Sequence, residues 1–326
     1  MGTESLGVRG LSCVVEDHGV IILVDPGIAL GYNRWDLHPH PLQAVAGDIV
    51  RERIKKLWSK ANIVVLSHMH GDHVPLYNAN PFQLNLYDLP SNSPQRIIAP
   101  PIELLRMEER RRLSKIQEIY RENITFVGDH GLKLEFLEVY GPYPHGHIRT
   151  PVYTAFINMD SKILHVSDTG LLVEGVVELV KALKPDIVIT DGPPIYRYLH
   201  NRRIVNSMLE VASRNLAKMT RYADKVIVDH HVHRCDEGYR WVKNIGKEHS
   251  GVTSAAEYML KKPLLLEAWR RTLYWFFPVS NYWFKNEYML MLNRFKGIHD
   301  AIVASASKMK NICEEEFSAL LSLIFQ

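Results

Sequence analysis

Seven residues, Ser67-His68-Met69-His70-Gly71-Asp72-His73, constrain this chain more than any other stretch. They follow the apolar run Ala61-Asn62-Ile63-Val64-Val65-Leu66, which reads as a buried strand. The cluster then falls on the loop at the strand's end, where α/β proteins tend to place their chemistry. A loop can aim imidazoles at i and i+2 at one point, and Asp72 and His73 add two more donors. Neutral imidazole and carboxylate oxygen suit zinc, manganese or iron, so the stretch reads as most of a metal site. A solvated polar loop would not need four costly residue types in this order.

Short apolar strands alternate with helical patterns over most of the chain. Val20–Val24 reads as a strand that stops at the turn Asp25-Pro26-Gly27. Leu132, Leu134 and Phe136 alternate with charged residues as in a half-buried strand. Val152–Asn158 and Ile163–Ser167 read as a hairpin. Asp186–Thr190 and Val226–Val228 are further strand candidates, and helices are expected over 102–122, 176–183 and 204–219. Residues 31–41 and 74–100 read as loops. The charge run from Glu108 to Arg112 suggests a solvated helix face. The fold class is α/β, two sheets sandwiched by helices. After about residue 250 the strand signals stop. A helix is expected over 255–274, broken near Pro263. It leads into an aromatic patch, Tyr274-Trp275-Phe276-Phe277 with Tyr282-Trp283-Phe284. Two units are therefore expected: residues 1–250 as a catalytic domain, and 251–326 as a helical, aromatic-rich C-terminal extension. That extension is a candidate homo-oligomer surface.

With 326 residues, 46% of them hydrophobic, the chain can bury a large core. A net charge of +3 gives no broad basic footprint, so nucleic acid is not favoured as a partner. Cys13, Cys235 and Cys313 make no disulfide framework. No signal peptide and no membrane span is read, so a cytoplasmic protein is expected.

Four donors do not complete a catalytic site. Others stand after later strands: His145 and His147 in Tyr143-Pro144-His145-Gly146-His147, Asp168 after Ile163–Ser167, and the pair His230-His231 after Val228. His165 reads as core, Cys235 as a plain buried thiol, and His38 and His40 as residues bordering the cleft. Tyr196, His200, Arg202 and Arg203 follow another strand end, where they either meet substrate or simply start a helix.

In order, Asp25, His68-x-His70-x-Asp72-His73, His145, Asp168 and His230 resemble the pattern of the metallo-β-lactamase superfamily. The resemblance covers residues 10 to 235. Leu23-Val24-Asp25-Pro26-Gly27, Thr190-Asp191-Gly192-Pro193-Pro194 and Val228-Asp229-His230-His231 are most similar to an archaeal group of predicted metal-dependent hydrolases. The resemblance implies a four-layer αββα sandwich and two divalent ions, zinc foremost, with manganese, iron or nickel as alternatives. His68, His70 and His145 would hold one ion, and Asp72, His73 and His230 the other. Asp168 would bridge them, and Asp25 would hold the His loop from behind. His147 remains an alternative to His145, and His231 to His230, since neighbours at a strand end point opposite ways.

The implied activity is hydrolysis by a hydroxide that two metals activate, with Asp72 and Asp168 as the catalytic carboxylates. An all-nitrogen-and-oxygen donor set resembles the phosphodiesterase-like branches, so a phosphoester is the expected substrate, a diester first. A carboxylic ester, thioester or lactone is the rival substrate class. A flavin partner is not expected, because 76 residues after 250 leave no room for its domain. A dead-site assembly protein would lack ligands that this pattern contains.

Overall fold

A computed structural model describes residues 2–31, 33–146, 148–276 and 278–279. Phe277, Tyr282, Trp283 and Phe284 of the aromatic patch, and His147, lie outside the described residues. Two sheets carry the fold. The first runs β1 (Gly2–Thr3), β2 (Leu11–Asp17), β3 (Val20–Val24), β4 (Ile63–Val65), β5 (Arg96–Ala99) and β6 (Ile124–Phe126) in spatial order. From β3 onward its strands are parallel. The second holds β7 (Leu132–Lys133), β8 (Leu137–His145), β9 (Ile148–Asn158), β10 (Lys162–Ser167), β11 (Ile187–Asp191), β12 (Lys225–Asp229) and β13 (Val252–Thr253), in reverse spatial order. Here β7 to β10 are joined antiparallel, and β10 to β13 run parallel.

Three apolar clusters stack these sheets into layers. Ile22, Val24, Val65 and Ile98 of the first sheet meet Val139, Tyr153, Ala155 and Ile157 of the second. The first sheet's other face (Leu23, Val64, Ile97) packs on helices α1 (Pro41–Trp58) and α2 (Met107–Tyr120) through Ile54, Trp58, Leu113 and Ile116. The second sheet's other face (Leu164, Val188, Val226) packs on α3 (Glu174–Leu183), α4 (Arg202–Met219) and α5 (Asp236–Glu248). The order helices, sheet, sheet, helices is the αββα sandwich. Alternate residues of one strand serve opposite layers, Ile22 and Val24 inward and Leu23 outward, as the two-residue period of a strand requires.

Several local expectations need correction. The alternating stretch 132–136 is not one strand, because β7 ends at Lys133 and the Leu134 N–H turns back to the Leu137 carbonyl. The irregular stretch 74–100 contains β5, whose Arg96-Ile97-Ile98 pairs parallel to β4. Most of the loop before it is indeed irregular. Helix α1 gives only a weak periodic signal, yet it starts sharply. His40 Nδ1 accepts from the Leu42 N–H at 3.3 Å, Gln43 Oε1 accepts from the His40 N–H at 3.0 Å, and Pro41 takes the first helical position. His40 is thus a helix cap.

Beyond residue 250 one more strand, β13, extends the sheet parallel to β12. The expected helix over 255–274 is two short ones, α6 (Ala255–Tyr258) and α7 (Arg270–Phe276). Leu264, Leu266 and Leu273 enter the first core, and the Leu264 N–H donates to the Ser5 carbonyl at 2.8 Å. This segment therefore clamps the N-terminal residues in place. Among the described residues, no helix is long and apolar enough to cross a membrane.

Candidate metal centre

Every donor singled out above, His147 apart, lies where a strand ends, on one edge of the sandwich. Asp25 follows β3, His68 to His73 follow β4, His145 ends β8, Asp168 follows β10, and His230 and His231 follow β12. The parallel strands all stop at this edge, so their loops converge there. Gly27 shows how tightly: a Cβ on it would lie 2.2 Å from the backbone of His73 and Val74. Only glycine lets the turn after β3 support the His loop.

Asp168, buried to 1% exposure, is the point on which the rings converge. Its Oδ2 lies 3.1 Å from His145 Nε2, 3.2 Å from His73 Nε2 and 3.6 Å from both His68 Nε2 and His231 Nε2. Its Oδ1 lies 3.5 Å from His230 Nε2. Two groups of donors are close enough to share an ion: His68, His70, His145 and Asp168 in one, Asp72, His73 and His230 in the other. A further grouping joins Asp168 to His230 and His231. His68 Nε2 and Asp168 Oδ1 are buried without a hydrogen-bond partner. Buried polar atoms without partners are costly, and a cation between them would satisfy both. The donors are all nitrogen and oxygen, and they suit a divalent ion.

The far side of nearly every ring is held by an acceptor. Asp25 Oδ2 takes His73 Nδ1 at 2.9 Å, Glu4 Oε2 takes His230 Nδ1 at 2.7 Å, and Asp191 Oδ2 takes His231 Nδ1 at 2.7 Å. Ser67 Oγ lies 2.9 Å from His68 Nδ1, and Glu109 Oε1 lies 3.7 Å from His70 Nε2. Such partners select the tautomer and leave the other nitrogen's lone pair facing inward. Asp25 does more. Its carboxylate also accepts from the Ser67 N–H at 2.8 Å, Ser67 Oγ at 2.6 Å and Ser167 Oγ at 2.7 Å, which ties the loop after β4 to the end of β10.

The pair after β12 does not divide as strand geometry suggests. The strand ends at Asp229, His230 has a left-handed φ of 59°, and both histidines enter a short 3₁₀ turn. Their rings therefore lie side by side, 4.4 Å apart, and both face Asp168. His230 alone groups with Asp72 and His73.

Asp72 carries a second set of contacts. Its Oδ2 accepts from Arg9 Nε at 3.0 Å and Arg234 Nη2 at 2.9 Å, while its Oδ1 makes no hydrogen bond among the described residues. Arg234, itself buried, also donates to Glu4 Oε1 at 2.6 Å and Tyr196 Oη at 3.1 Å. Spacing along the chain points to none of Glu4, Arg9 or Arg234. Asp191 had a signal, an acid at the end of a buried strand, the same rule that finds Asp168. The charge run on α2 is only partly solvated, because Glu109 is buried beside His70 and Arg112 donates to the Met69 carbonyl at 2.7 Å.

Other candidates take structural places. His165 bonds the Leu11 carbonyl at 2.9 Å between the sheets. The Cys235 thiol is buried, bonds the Val232 carbonyl, and is pushed up to about 11 by that burial. His200, Arg202 and Arg203 lie at the start of α4, away from the cluster.

Electrostatics sort the rings into two kinds. Burial pushes His70 down to about 4, aided by the charge of His145, and burial pushes His68 and His231 down as well. Burial also opposes charge on His73 and His230, but carboxylates outweigh it. Asp168 and Asp25 raise His73 well above its usual range, and Glu4 and Asp168 bring His230 to about 9. A ring raised in this way holds a proton that a metal, which takes only neutral imidazole, displaces; the two Nε2 atoms lie 3.3 Å apart and Arg234 Nη2 lies 3.1 Å from that of His230, so at most one of the two carries a proton there. Metal binding to the stripped chain at pH 7 is thus expected to release about one proton from this pair. Calorimetry in two buffers of different ionisation enthalpy measures this, and a release of zero would refute it. For the stripped chain the raised His230 stabilises fully below about 6.5, and that contribution is lost as pH rises through about 9.

A UPF0282 protein of Methanosarcina mazei is 35% identical to this chain over 290 residues, covering 87% of the chain and 93% of the relative. Another, of Pyrococcus horikoshii, is 31% identical over 294 residues, covering 84% and 91%. No protein-family model matches. Among solved structures, an isothiocyanate hydrolase from Delia radicum gut bacteria overlaps with a TM-score of 0.46 at 16% identity, over 76% of this chain and 95% of that one. A subclass B3 metallo-β-lactamase overlaps at 0.32 and 18%, over 66% and 89%. Overlaps this loose do not bear on the chemistry.

Proposed function

We propose a function for this chain, which belongs to the UPF0282 family of archaeal proteins and has the metallo-β-lactamase fold: it is a metal-dependent hydrolase of phosphoesters, phosphodiesters foremost. The observation that carries the reading is the convergence of His68, His70, His73, His145, His230 and His231 on one buried carboxylate, Asp168, with Asp72 beside His73 and His230 and partnerless atoms at the centre. His68, His70 and His145 would hold one divalent ion, and Asp72, His73 and His230 the other. Asp168 would lie between them, and zinc is the proposed metal. Two such ions supply Lewis acidity and a nucleophile at neutral pH.

The chain's own residues do the rest. Asp25 and Glu4 hold the rings of His73 and His230 so that their free nitrogens stay aimed while substrate enters and leaves. Asp72 Oδ1, which makes no hydrogen bond among the described residues, would accept a proton or a water hydrogen, while Arg9 and Arg234 fix its Oδ2. Those guanidiniums and His73 outweigh burial and keep the Asp72 carboxylate ionised well below its usual range, so it acts as an acceptor. His70, whose side chain is 32% exposed, marks the open side of the site.

The test is a zinc-reconstituted full chain offered a nitrophenyl phosphodiester, nitrophenyl acetate and a lactone. The diester should be turned over best, with activity lost on chelation and restored by zinc. Turnover of the acetate or lactone alone would move the reading to acyl substrates. No chelator-sensitive turnover of any of the three would sink it.

A further inference from the structure

We propose that Tyr196, Arg197 and Arg9 form a subsite beside the metal centre for a phosphate-type oxyanion carried by the substrate. The inference rests on the hydrolase reading above only in taking that oxyanion to be part of a substrate. Tyr196 lies in the turn after β11, its ring 6.3 Å from that of His231 and 30° from parallel to it. Its Oη accepts from Arg197 Nε and from Arg234 Nη1, each at 3.1 Å. With both lone pairs engaged by guanidiniums, the phenol's own proton is left to donate outward.

Arg197 is exposed, and that bond to Tyr196 is its only side-chain hydrogen bond among the described residues. Both of its Nη nitrogens are therefore available. It lines a small cavity of about 10 Å³, the room of about one water, together with His145, Asp168 and His231. Arg9 spends Nε on Asp72, and its two Nη nitrogens make no hydrogen bond among the described residues. The two free forks and the phenol proton thus stand at the rim of the centre, each one contact from a residue of the cluster.

Charge at this rim favours an anion. The guanidiniums of Arg9, Arg34, Arg197, Arg234 and Arg270 share three paired carboxylates among the described residues, while Asp168 and Asp191 line the cavity beside Arg197 without pairing with it. Glu4 pairs with Arg234, Asp72 with Arg9 and Arg234, and Glu267 with Arg34 and Arg270. Arg197 has no acidic partner among the described residues. The guanidinium carbons of Arg34, Arg197 and Arg234 lie 5.4, 5.7 and 5.4 Å from the Tyr196 ring centroid, so the ring spaces these cations and holds them in place. Planar guanidinium forks match the geometry of phosphate oxygens, and such charge-assisted bonds are about twice as strong as neutral ones.

The experiment uses the zinc-loaded full chain titrated with inorganic phosphate by calorimetry. Arg197→Ala and Tyr196→Phe are each expected to weaken phosphate binding about 10-fold or more. Arg203→Ala, which removes the same charge from the exposed start of α4, should bind phosphate as the parent does. If either Arg197→Ala or Tyr196→Phe stays within about twofold of the parent, the ions alone hold the phosphate and the subsite is overturned. Failure of the two readings is separable. Arg197-dependent phosphate binding in a chain that hydrolyses nothing keeps the subsite and removes the function. Hydrolysis with phosphate binding indifferent to Arg197 does the reverse.

Discussion

Asp168→Ala is expected to cost the chain at least one metal ion and to lower turnover of its ester substrate about 10³-fold, the equivalent of about 4 kcal/mol in the barrier. The reason is geometric. Asp168 is the one carboxylate within 3.6 Å of the inward nitrogens of His68, His73, His145, His230 and His231. Without it those rings lose the carboxylate that their inward nitrogens share, and only Asp72, beside His73 and His230, remains. The Asp168 charge also helps to raise His73 and His230 in the stripped chain. Asp168→Asn, of nearly the same shape, should therefore cut the proton release on metal binding along with the metal content. Elemental analysis, steady-state kinetics and buffer-dependent calorimetry read the three effects. A variant that keeps two ions and full turnover would remove Asp168 from the centre.

Asp25→Ala should produce the largest loss of stability of any single change at the site, about 3–5 kcal/mol, because it strands a buried cation. In the stripped chain His73 is cationic beside Asp25, and burial has already made that charge expensive. The Ser67 N–H and the hydroxyls of Ser67 and Ser167 would lose their acceptor as well, each buried. Asp25 sits at a φ of 48°, so alanine adds backbone strain, whereas asparagine tolerates that region. Asp25→Asn should recover the strain but not the charge. Denaturant unfolding of both variants separates the two terms. Metal affinity should also fall about 10- to 100-fold, as when other partners of metal-bound histidines are removed. A shift in unfolding free energy below about 1 kcal/mol for Asp25→Ala would contradict the account.

Much of the fold could be read along the chain. The strands at Val20–Val24 and Val226–Val228, the hairpin of β9 and β10, and helices α3 and α4 follow apolar runs of clear period. Helix α1 and strand β5 could not. The helix buries an unusually broad face that includes Gln43 and Arg51, which blurs its apolar stripe. The strand is four residues inside a stretch of Asn, Ser and Pro, and only its pairing with β4 and β6 makes it a strand. In the site, the opposite-facing expectation for His230 and His231 failed because the strand stops at Asp229 and both histidines lie in the 3₁₀ turn beyond it.

What the sequence determined by itself was the donor chemistry and where along the chain it falls. His68, His70, Asp72 and His73 share one loop, and a loop of six residues keeps its donors together whatever the rest of the chain does. His145, Asp168 and His230 were legible because strand ends in such a fold converge on one edge. Tertiary structure alone decided how those donors are aimed and what surrounds them. Glu4 reaches His230 across 226 positions, and Arg234 reaches Asp72 across 162. A hydrogen bond depends on distance and angle in space and not on separation along the chain, so no spacing rule could have paired them. The same holds for Tyr196, which becomes part of a site only once Arg34 and Arg234, from remote segments, close around it beside Arg197.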